Sequence, residues 1–180
     1  MTVREDLTPA AGRPLLGVVV CGAGNAGKVG TLLLQARRRG WETMVIATPA
    51  GLGFLDRAAV EAATGRPVRS AWRLPGEERP PRDPDALAVA PATFNTVNKW
   101  AAGIADTLAL GVLCGAYGKG LPTAVLPAVG PDLAAHPAYA RSLEALRTMG
   151  VLVGGGGAFR WGEALDLLEP ARVRLGGGRP

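Results

Sequence analysis

The segment LAVAPATFNTVNKWAAGIADTL, residues 87–108, contains the residues whose types and order point most directly to chemistry. Its apolar run, Leu87–Ala90, stops at Pro91, and a short polar turn at 93–96 then opens an Ala-rich stretch with helical character. A strand that leads through a tight turn into a helix directs backbone N–H groups towards whatever lies beyond the strand. We therefore predict a site for an anion or a cofactor at the carboxyl end of a parallel strand.

A glycine-rich turn, CGAGNAGK at residues 21–28, has the same character. Gly22 and Gly24 allow close backbone approach, and the helix that follows them would offer unpaired N–H groups to a phosphate. The G-x-G-x-x-G spacing matches a dinucleotide fingerprint, which also expects an acidic residue about twenty positions later. The next apolar run ends in Ala47, Thr48 and Pro49 instead, so an NAD site is disfavoured.

The elements that must position these turns alternate along the whole chain, as expected for βαβ units and a parallel sheet. We predict strands at 15–21, 41–48, 68–72, 87–90, 123–126 and 151–153. We predict helices at 28–39, 55–63, 95–106, 107–116 and 137–149, and a Pro-rich connector at 73–85. The pattern indicates one α/β domain over 1–180, ordered from about 14 to about 170, with flexible ends at 1–12 and 175–180.

Composition excludes several classes of protein. With 180 residues, 48% of them hydrophobic, the chain can form one core but is short for two domains. No apolar run approaches the roughly 18 residues that span a bilayer, and no signal-peptide core is evident, so we expect no membrane association and a cytoplasmic location. The net charge of +5 comes from scattered arginines without interleaved aromatic residues, which argues against nucleic acid.

The cysteines and the histidine exclude two further kinds of site. Cys21 and Cys114 lie at or near the ends of apolar runs, which indicates small core residues, and a disulfide is not expected in a reducing compartment. A single histidine, His136, leaves no cluster of ligands for a metal ion.

Residues 90–96, Ala-Pro-Ala-Thr-Phe-Asn-Thr, resemble the Ala-Pro-Ala-(Ser/Thr)-Ala-Asn-Thr signature of the FMN-binding flavoproteins. That family includes homo-oligomeric cysteine decarboxylases, among them phosphopantothenoylcysteine decarboxylase and the lantibiotic peptide decarboxylases. Its members continue with Ile-x-Lys-x-Ala-x-Gly-Ile-x-Asp-x-Leu, matched here, with one Ile-to-Val change, by Val97, Lys99, Ala101, Gly103, Ile104, Asp106 and Leu108. The resemblance runs from about residue 16 to 153 and implies a Rossmann-like three-layer sandwich of flavodoxin or flavoprotein type, with FMN as the cofactor.

The resemblance also implies which residues contact FMN. The family's first loop reads Gly-(Ser/Thr)-Ile-Ala-Ala-x-Lys; its ends, Gly22 and Lys28, are kept here, while Ala23, Gly24 and Asn25 depart from the pattern. A hydroxyl contact to the phosphate is therefore absent, and backbone N–H groups or the Asn25 amide would replace it. The expected cofactor contacts from this loop, the end of the second strand and the Ala-Pro turn are Gly22, Ala23, Gly24, Asn25, Thr48, Phe54, Ala92, Thr93 and Thr96.

The acid–base residues of the family are replaced. Members keep a His in the connector, where this chain reads GEERPPRDPD, and Pro-x-Met-Asn-x-x-Met-Trp later, where it reads PAVGPDLA over 127–134. Gly130 replaces the Asn that grips the substrate carboxylate, so the family's oxidative cysteine decarboxylation is disfavoured. His136 is a candidate general base because His titrates near neutrality, and it could equally be an exposed or capping residue. Asp132 and Glu77 are rival candidates.

Three functions remain open from the sequence. The chain could be a flavin-dependent oxidoreductase or decarboxylase-like lyase acting on a small molecule or a peptide. It could also be a non-catalytic FMN-binding or regulatory subunit, or a transferase or lyase that uses the flavin.

The resemblance further implies a homotrimer, or a dodecamer built from trimers, because FMN lies at a subunit boundary in this family. The stretch that contains Trp100, Ala101, Ala102, Ile104 and Ala105 is apolar on more than one helical face, which favours an interface. The alternative is that Leu110 and the following helix cover this face within one chain.

Overall fold

The computed structural model describes residues 12–176. Five parallel strands form one sheet in the order β2-β1-β3-β4-β5. The strands are β1 Leu15–Val20, β2 Glu42–Ala47, β3 Ala86–Ala92, β4 Thr123–Pro127 and β5 Leu152–Val153. The helices are α1 Gly30–Arg38, α2 Pro49–Leu52, α3 Arg57–Thr64, α4 Phe94–Ala101, α5 Leu108–Gly118, α6 Pro131–Ala134, α7 Pro137–Thr148 and α8 Glu163–Gly176.

The central strands are apolar at successive positions because both faces of the sheet are covered. Residues of β1 alternate between two cores: Val18 belongs to the layer with α1, α3 and α8, and Val19 to the layer with α4, α5 and α7. Both side chains are fully buried. The arrangement is a Rossmann-like three-layer sandwich, which confirms the predicted fold class.

Threonine side chains cap three helices; Thr48 and Thr93 directly follow β2 and β3, and Thr107 follows α4. The hydroxyls of Thr48, Thr93 and Thr107 accept backbone N–H groups in the first turns of α2, α4 and α5. This capping satisfies one of the donors that each helix start leaves without an intrahelical partner. The caps fix where each chain segment turns away from the sheet.

The predicted strand at 68–72 is wrong. Arg69 makes one isolated bridge with Ile46, and Trp72 is 55% exposed. Val68 donates its N–H to the Glu61 carboxylate at 2.9 Å, and the backbone bonds to β2 are those of Arg69 with Val45 and Ala47, one bridge rather than a ladder. The Trp72 ring lies against α5 at Gly111, where a Cβ would clash with it.

One predicted helix boundary is also wrong, and one helix was not predicted. The helix predicted to reach Asp106 ends at Ala101, because Gly103 adopts a left-handed backbone with φ of 72° that ends the helix. The sequence did not predict α8, which buries Ala164, Leu165 and Leu168 against the sheet. Leu175 and Gly176, predicted to be flexible, end this helix; the other predicted flexible residues, apart from Gly12, lie outside the described residues.

Trp100, one residue of the apolar stretch that the sequence offered as an interface, is covered within the chain. Its side chain is 2% exposed, since α4 packs against α7 and α5 within one chain. Ser142 of α7 donates a hydrogen bond to the Asn98 amide oxygen of α4 at 2.7 Å, which joins the two helices. Within residues 12–176, no helix is long and apolar enough to cross a membrane.

Candidate functional site

A cleft of about 590 Å³ opens at the carboxyl ends of β1, β2, β3 and β4. We call it the carboxyl-edge cleft. It is lined by Gly22, Ala23, Gly24, Thr48, Pro49, Ala50, Thr93, Phe94, Asn95, Thr96, Lys99, Thr107, Leu110, Ala128, Val129, Gly130 and Leu133. In doubly wound folds, ligands bind at this edge of the sheet, and the cleft has the size of a small-molecule site.

The glycine loop forms one wall of the cleft. Cys21 donates its N–H to the Pro91 carbonyl at 3.1 Å, which ties the start of this loop to β3. A Cβ on Gly22 would lie 2.9 Å from the Ala50 Cβ, so only glycine lets the loop approach α2 this closely. Within residues 12–176, the N–H groups of Gly24 and Asn25 have no hydrogen-bond acceptor, and they are free for an anionic ligand.

Thr48 lies at the end of β2 and is buried. Its hydroxyl accepts the Gly51 N–H at 3.0 Å, and its own N–H donates to the Val20 carbonyl at 2.9 Å. These bonds hold the first turn of α2 against the end of β1. The turn presents Pro49 and Ala50 to the cleft.

A threonine pair at the start of α4 forms the floor. The Thr93 and Thr96 hydroxyls are 3.1 Å apart, and the Thr96 N–H donates to Thr93 Oγ1 at 3.4 Å. Beneath them, burial raises the pKa of the Cys21 thiol above its usual range, and hydrogen bonds with Thr96 and Thr93 offset part of the rise. Cys21 is therefore a protonated core thiol at neutral pH.

Two aromatic contacts place Phe94 at the boundary of the cleft. Its ring centroid lies 5.9 Å from that of His136, edge to face, and 6.0 Å from that of Tyr139, stacked. Such pairs stabilise a defined ring orientation. The large residue at this position, where the family has a small Ala, is thus held against α7.

Lys99 is a cleft residue that sequence reasoning did not assign to the site, and Asp106 is its partner outside the lining. Lys99 lines the cleft, and its ammonium group contacts the Asp106 carboxylate at 2.5 Å. Both residues belong to the matched motif, but in a continuous helix residues seven positions apart are separated by about two turns and do not form an ion pair. The break after α4 brings them together. Among the described residues, Lys99 is the only charged side chain that lines the cleft.

Six of the nine predicted cofactor contacts line the cleft: Gly22, Ala23, Gly24, Thr48, Thr93 and Thr96. The other three do not. Asn25 is the N-cap of the short helical turn at 26–28, and its side chain makes no capping hydrogen bond. Phe54 is 48% exposed beside the loop, and Ala92 is fully buried in β3, where its carbonyl accepts the Ala128 N–H at 2.8 Å.

The three predicted acid–base residues do not line the cleft. His136 caps α7, with its Nδ1 accepting the Ala138 N–H at 3.1 Å. Asp132 is exposed in the first turn of α6. The Glu77 carboxylate accepts the Leu74 N–H at 2.9 Å within the connector. Each of these residues has a local structural contact or an exposed position.

The cleft fits a flavin mononucleotide in size, donors and charge. Unpaired N–H groups of the glycine loop suit a phosphate, and the lining contains no carboxylate among the described residues. Small residues and threonines line the inner part, which leaves room for a planar ring. The residues therefore fit the cofactor that the sequence resemblance implies.

The sequence profile of the Flavoprotein family matches residues 6–165. The chain belongs to the flavoprotein family. Coenzyme A biosynthesis bifunctional protein CoaBC of Mycolicibacterium smegmatis is 30% identical over 169 residues, which cover 92% of this chain and 37% of that protein. This flavoprotein chain thus spans about a third of the length of such curated relatives.

Solved structures agree with this membership. The FMN-dependent cysteine decarboxylase SpaF is 26% identical with a TM-score of 0.65, covering 88% of this chain and 97% of SpaF. MrsD from a Bacillus species shares the fold at 21% identity and a TM-score of 0.73, covering 89% of this chain and 96% of MrsD. The predicted family and fold are confirmed, and the predicted FMN cofactor is confirmed at the level of the family.

Proposed function

We propose that the carboxyl-edge cleft binds FMN and that this flavoprotein uses it in a redox or decarboxylation reaction on a small molecule or peptide. The observation that carries the proposal is the convergence of the glycine loop with the threonine-capped starts of α2 and α4 on one cleft, to which no carboxylate of residues 12–176 contributes. The FMN-dependent relative SpaF supports the same cofactor.

In this proposal, the N–H groups of Gly24 and Asn25 hold the phosphate, and the Thr48 hydroxyl lies near the ribityl chain. Thr93 and Thr96 address the ring or the ribityl chain with hydroxyls that are already oriented by each other. A preformed donor costs no reorganisation when charge develops on a bound ligand. Lys99 adds a cation to a site that would receive negative charge.

FMN supplies the electron-accepting chemistry when bound, and the protein supplies its orientation and its electrostatic surroundings. The Lys99–Asp106 pair holds the segment after α4 beside the cleft, so the cation stays in place. Phe94 borders the side of the cleft that leads to α7.

A second candidate, a non-catalytic FMN-binding subunit, is favoured by one observation. His136, Asp132 and Glu77 do not line the cleft, and Gly130 brings no side chain to it. The backbone that would hold a cofactor is therefore present, while the acid–base groups expected of a decarboxylase are displaced.

The cofactor proposal is tested by incubating the purified chain with FMN, removing free flavin and recording the flavin absorbance. Riboflavin, which lacks the phosphate, is the matched ligand control and should bind more weakly. Colourless protein that fails to retain FMN would overturn the proposal.

The two functions are then separated by anaerobic bleaching of the bound flavin. Bleaching by a peptide with a C-terminal cysteine supports decarboxylase-type chemistry, and bleaching by a reduced nicotinamide supports another redox reaction. Retained flavin that neither compound bleaches supports the non-catalytic subunit.

We also propose a trimer, on the narrower basis that Ile104 is 43% exposed between the exposed Ala102 and Ala105, next to the Lys99–Asp106 pair. An exposed apolar patch of this kind often marks an interface. Light scattering on FMN-loaded protein should give three times the chain mass or a multiple of it, and a monomer mass would contradict the proposal. The cytoplasmic location stays a prediction.

A further inference from the structure

A second cavity of about 550 Å³ adjoins the carboxyl-edge cleft. The two share Ala128 and Val129, which follow β4. One wall of the second cavity is the face of α7 that carries Tyr139, Leu143 and Arg147, and the opposite wall is the glycine segment 154–157. We call this cavity the α7 groove.

Most of the α7 groove is apolar, and its charge is confined to one end. Arg147 is the only charged side chain among the described residues that line it. Tyr139 and Arg147 are eight residues apart on α7, which corresponds to about 12 Å along a helix. The groove therefore joins an apolar lining beside the cleft to a cation that does not line the cleft itself.

The Arg147 guanidinium is available to a ligand. Its Nη1 lies 3.5 Å from the Glu144 carboxylate, but both side chains are at least half exposed, and such pairs contribute little. Within the described chain, Arg147 makes no side-chain hydrogen bond, whereas Arg39, Arg57 and Arg172 each donate to a carboxylate. A guanidinium has five donors and favours carboxylate or phosphate oxygens.

The opposite wall is held in place from below. Gly155 donates its N–H to Glu163 Oε1 at 2.9 Å, so α8 ties down the glycine segment. A Cβ on Gly154 would lie 2.6 Å from Leu126 Cδ2 and 2.7 Å from Glu163 Oε1. The same contacts keep the Glu163 carboxylate on the glycine segment and out of the groove lining.

We infer that the α7 groove binds the remote anionic end of an elongated, largely apolar small-molecule substrate, with Arg147 as its anchor and the reacting end at Val129. The inference rests on the proposed function, since it assigns a substrate class to the same site. Arg147 is a specificity-determining residue in this reading, because it contacts the substrate far from the flavin.

The inference is tested by titrating the FMN-loaded chain with octanoate, octyl phosphate and octanol, and measuring the dissociation constants by calorimetry. We expect at least one of the two anions to bind about tenfold more tightly than octanol. The tighter of the two identifies the headgroup as a carboxylate or a phosphate. Equal affinity for all three compounds would overturn the inference.

Two variants on α7 make the test specific. Arg147→Gln should reduce anion binding to the level of octanol, and Arg147→Lys should restore part of it. Arg141→Gln is the matched control, because Arg141 is exposed on the same helix and does not line the groove. An equal loss in both glutamine variants, or no loss in Arg147→Gln, would overturn the inference.

The flavin absorbance of each sample separates this inference from the proposed function. Arg147→Gln should retain as much FMN as the unaltered chain, since Arg147 does not line the carboxyl-edge cleft. If no sample retains FMN while anion binding still depends on Arg147, the cofactor proposal fails and the groove assignment stands as an anion site. If the samples retain FMN but anion binding does not depend on Arg147, the groove assignment fails and the cofactor proposal stands.

Discussion

The carboxyl edge of the sheet has two halves that differ in how they relate to the family pattern. The half built by the glycine loop, the first turn of α2 and the start of α4 keeps its form, with Thr48 and Thr93 as helix caps. The half built by β4, α6 and the start of α7 has lost the family's Met, Asn and Trp. We call them the flavin half and the substrate half.

The two halves differ in which atoms bind the ligand. Much of the flavin half offers backbone N–H groups and short hydroxyls, so side chains can change while the donors remain. A substrate half depends on particular side chains to hold and protonate a substrate, and replacing Asn by Gly130 removes that capacity. Cofactor binding can therefore persist in a chain whose reaction or substrate has changed.

The largest effect is expected from a substitution that blocks FMN binding in the flavin half. Thr96→Trp should reduce FMN affinity by more than about tenfold, because Thr96 is buried at the floor of the carboxyl-edge cleft and a large ring would fill it. Fluorescence titration with FMN measures the effect. Thr96→Val, similar in size, is the control for folding and should lose only the contribution of the hydroxyl. Unaltered flavin content in Thr96→Trp would refute this placement.

The next prediction changes the substrate half alone. Gly130→Asn restores the family's amide at the start of α6, and a Cβ there meets no atom within 4 Å, so the fold should accept it. We expect binding of a peptide with a C-terminal cysteine to improve by about tenfold, with FMN affinity unchanged. Calorimetry on the FMN-loaded variant measures both. A change in FMN affinity as large as the change in peptide affinity would show that the halves are not separable.

A smaller effect is expected from restoring the hydroxyl in the glycine loop. Ala23→Ser adds a donor to a position that lines the cleft, and should tighten FMN binding by about two- to tenfold. Riboflavin affinity should not change, because the added contact is to the phosphate. An equal gain in riboflavin affinity would mean that the serine hydroxyl contacts a part of the cofactor other than the phosphate.

The smallest predicted effect concerns pH. Burial raises the pKa of Cys21 in the folded chain, so its contribution to stability is complete below the unfolded pKa and is lost as pH rises above about 8.5. Burial also raises the pKa of Tyr139, in the substrate half, so its ionisation should affect stability only above about pH 10. The free energy of unfolding, measured with urea at several pH values between about 8.5 and about 10, should fall less steeply with pH for Cys21→Ala than for the unaltered chain. The same slope in both chains would contradict the assignment.

Sequence reasoning located the flavin half well because its signals are local. Strands covered on both faces give continuous apolar runs, and the turns after β1 and β3 are short, so their residues stay at the edge of the sheet. It placed the substrate half poorly. His136, Asp132 and Glu77 have suitable chemistry, but helix capping, exposure and a connector turn keep them out of the cleft lining.

The sequence by itself determined the family and the α/β order of elements, and six of its nine predicted cofactor contacts lie in the lining of the carboxyl-edge cleft, because periodicity and short motifs are written along neighbouring residues. Only the tertiary structure decided that Trp100 is covered by α7 and α5, that residues 68–72 do not form a strand, and that Lys99 meets Asp106. It also decided that Arg147 faces a groove beside the cleft. These outcomes depend on which distant segments pack together, and no local pattern encodes that packing.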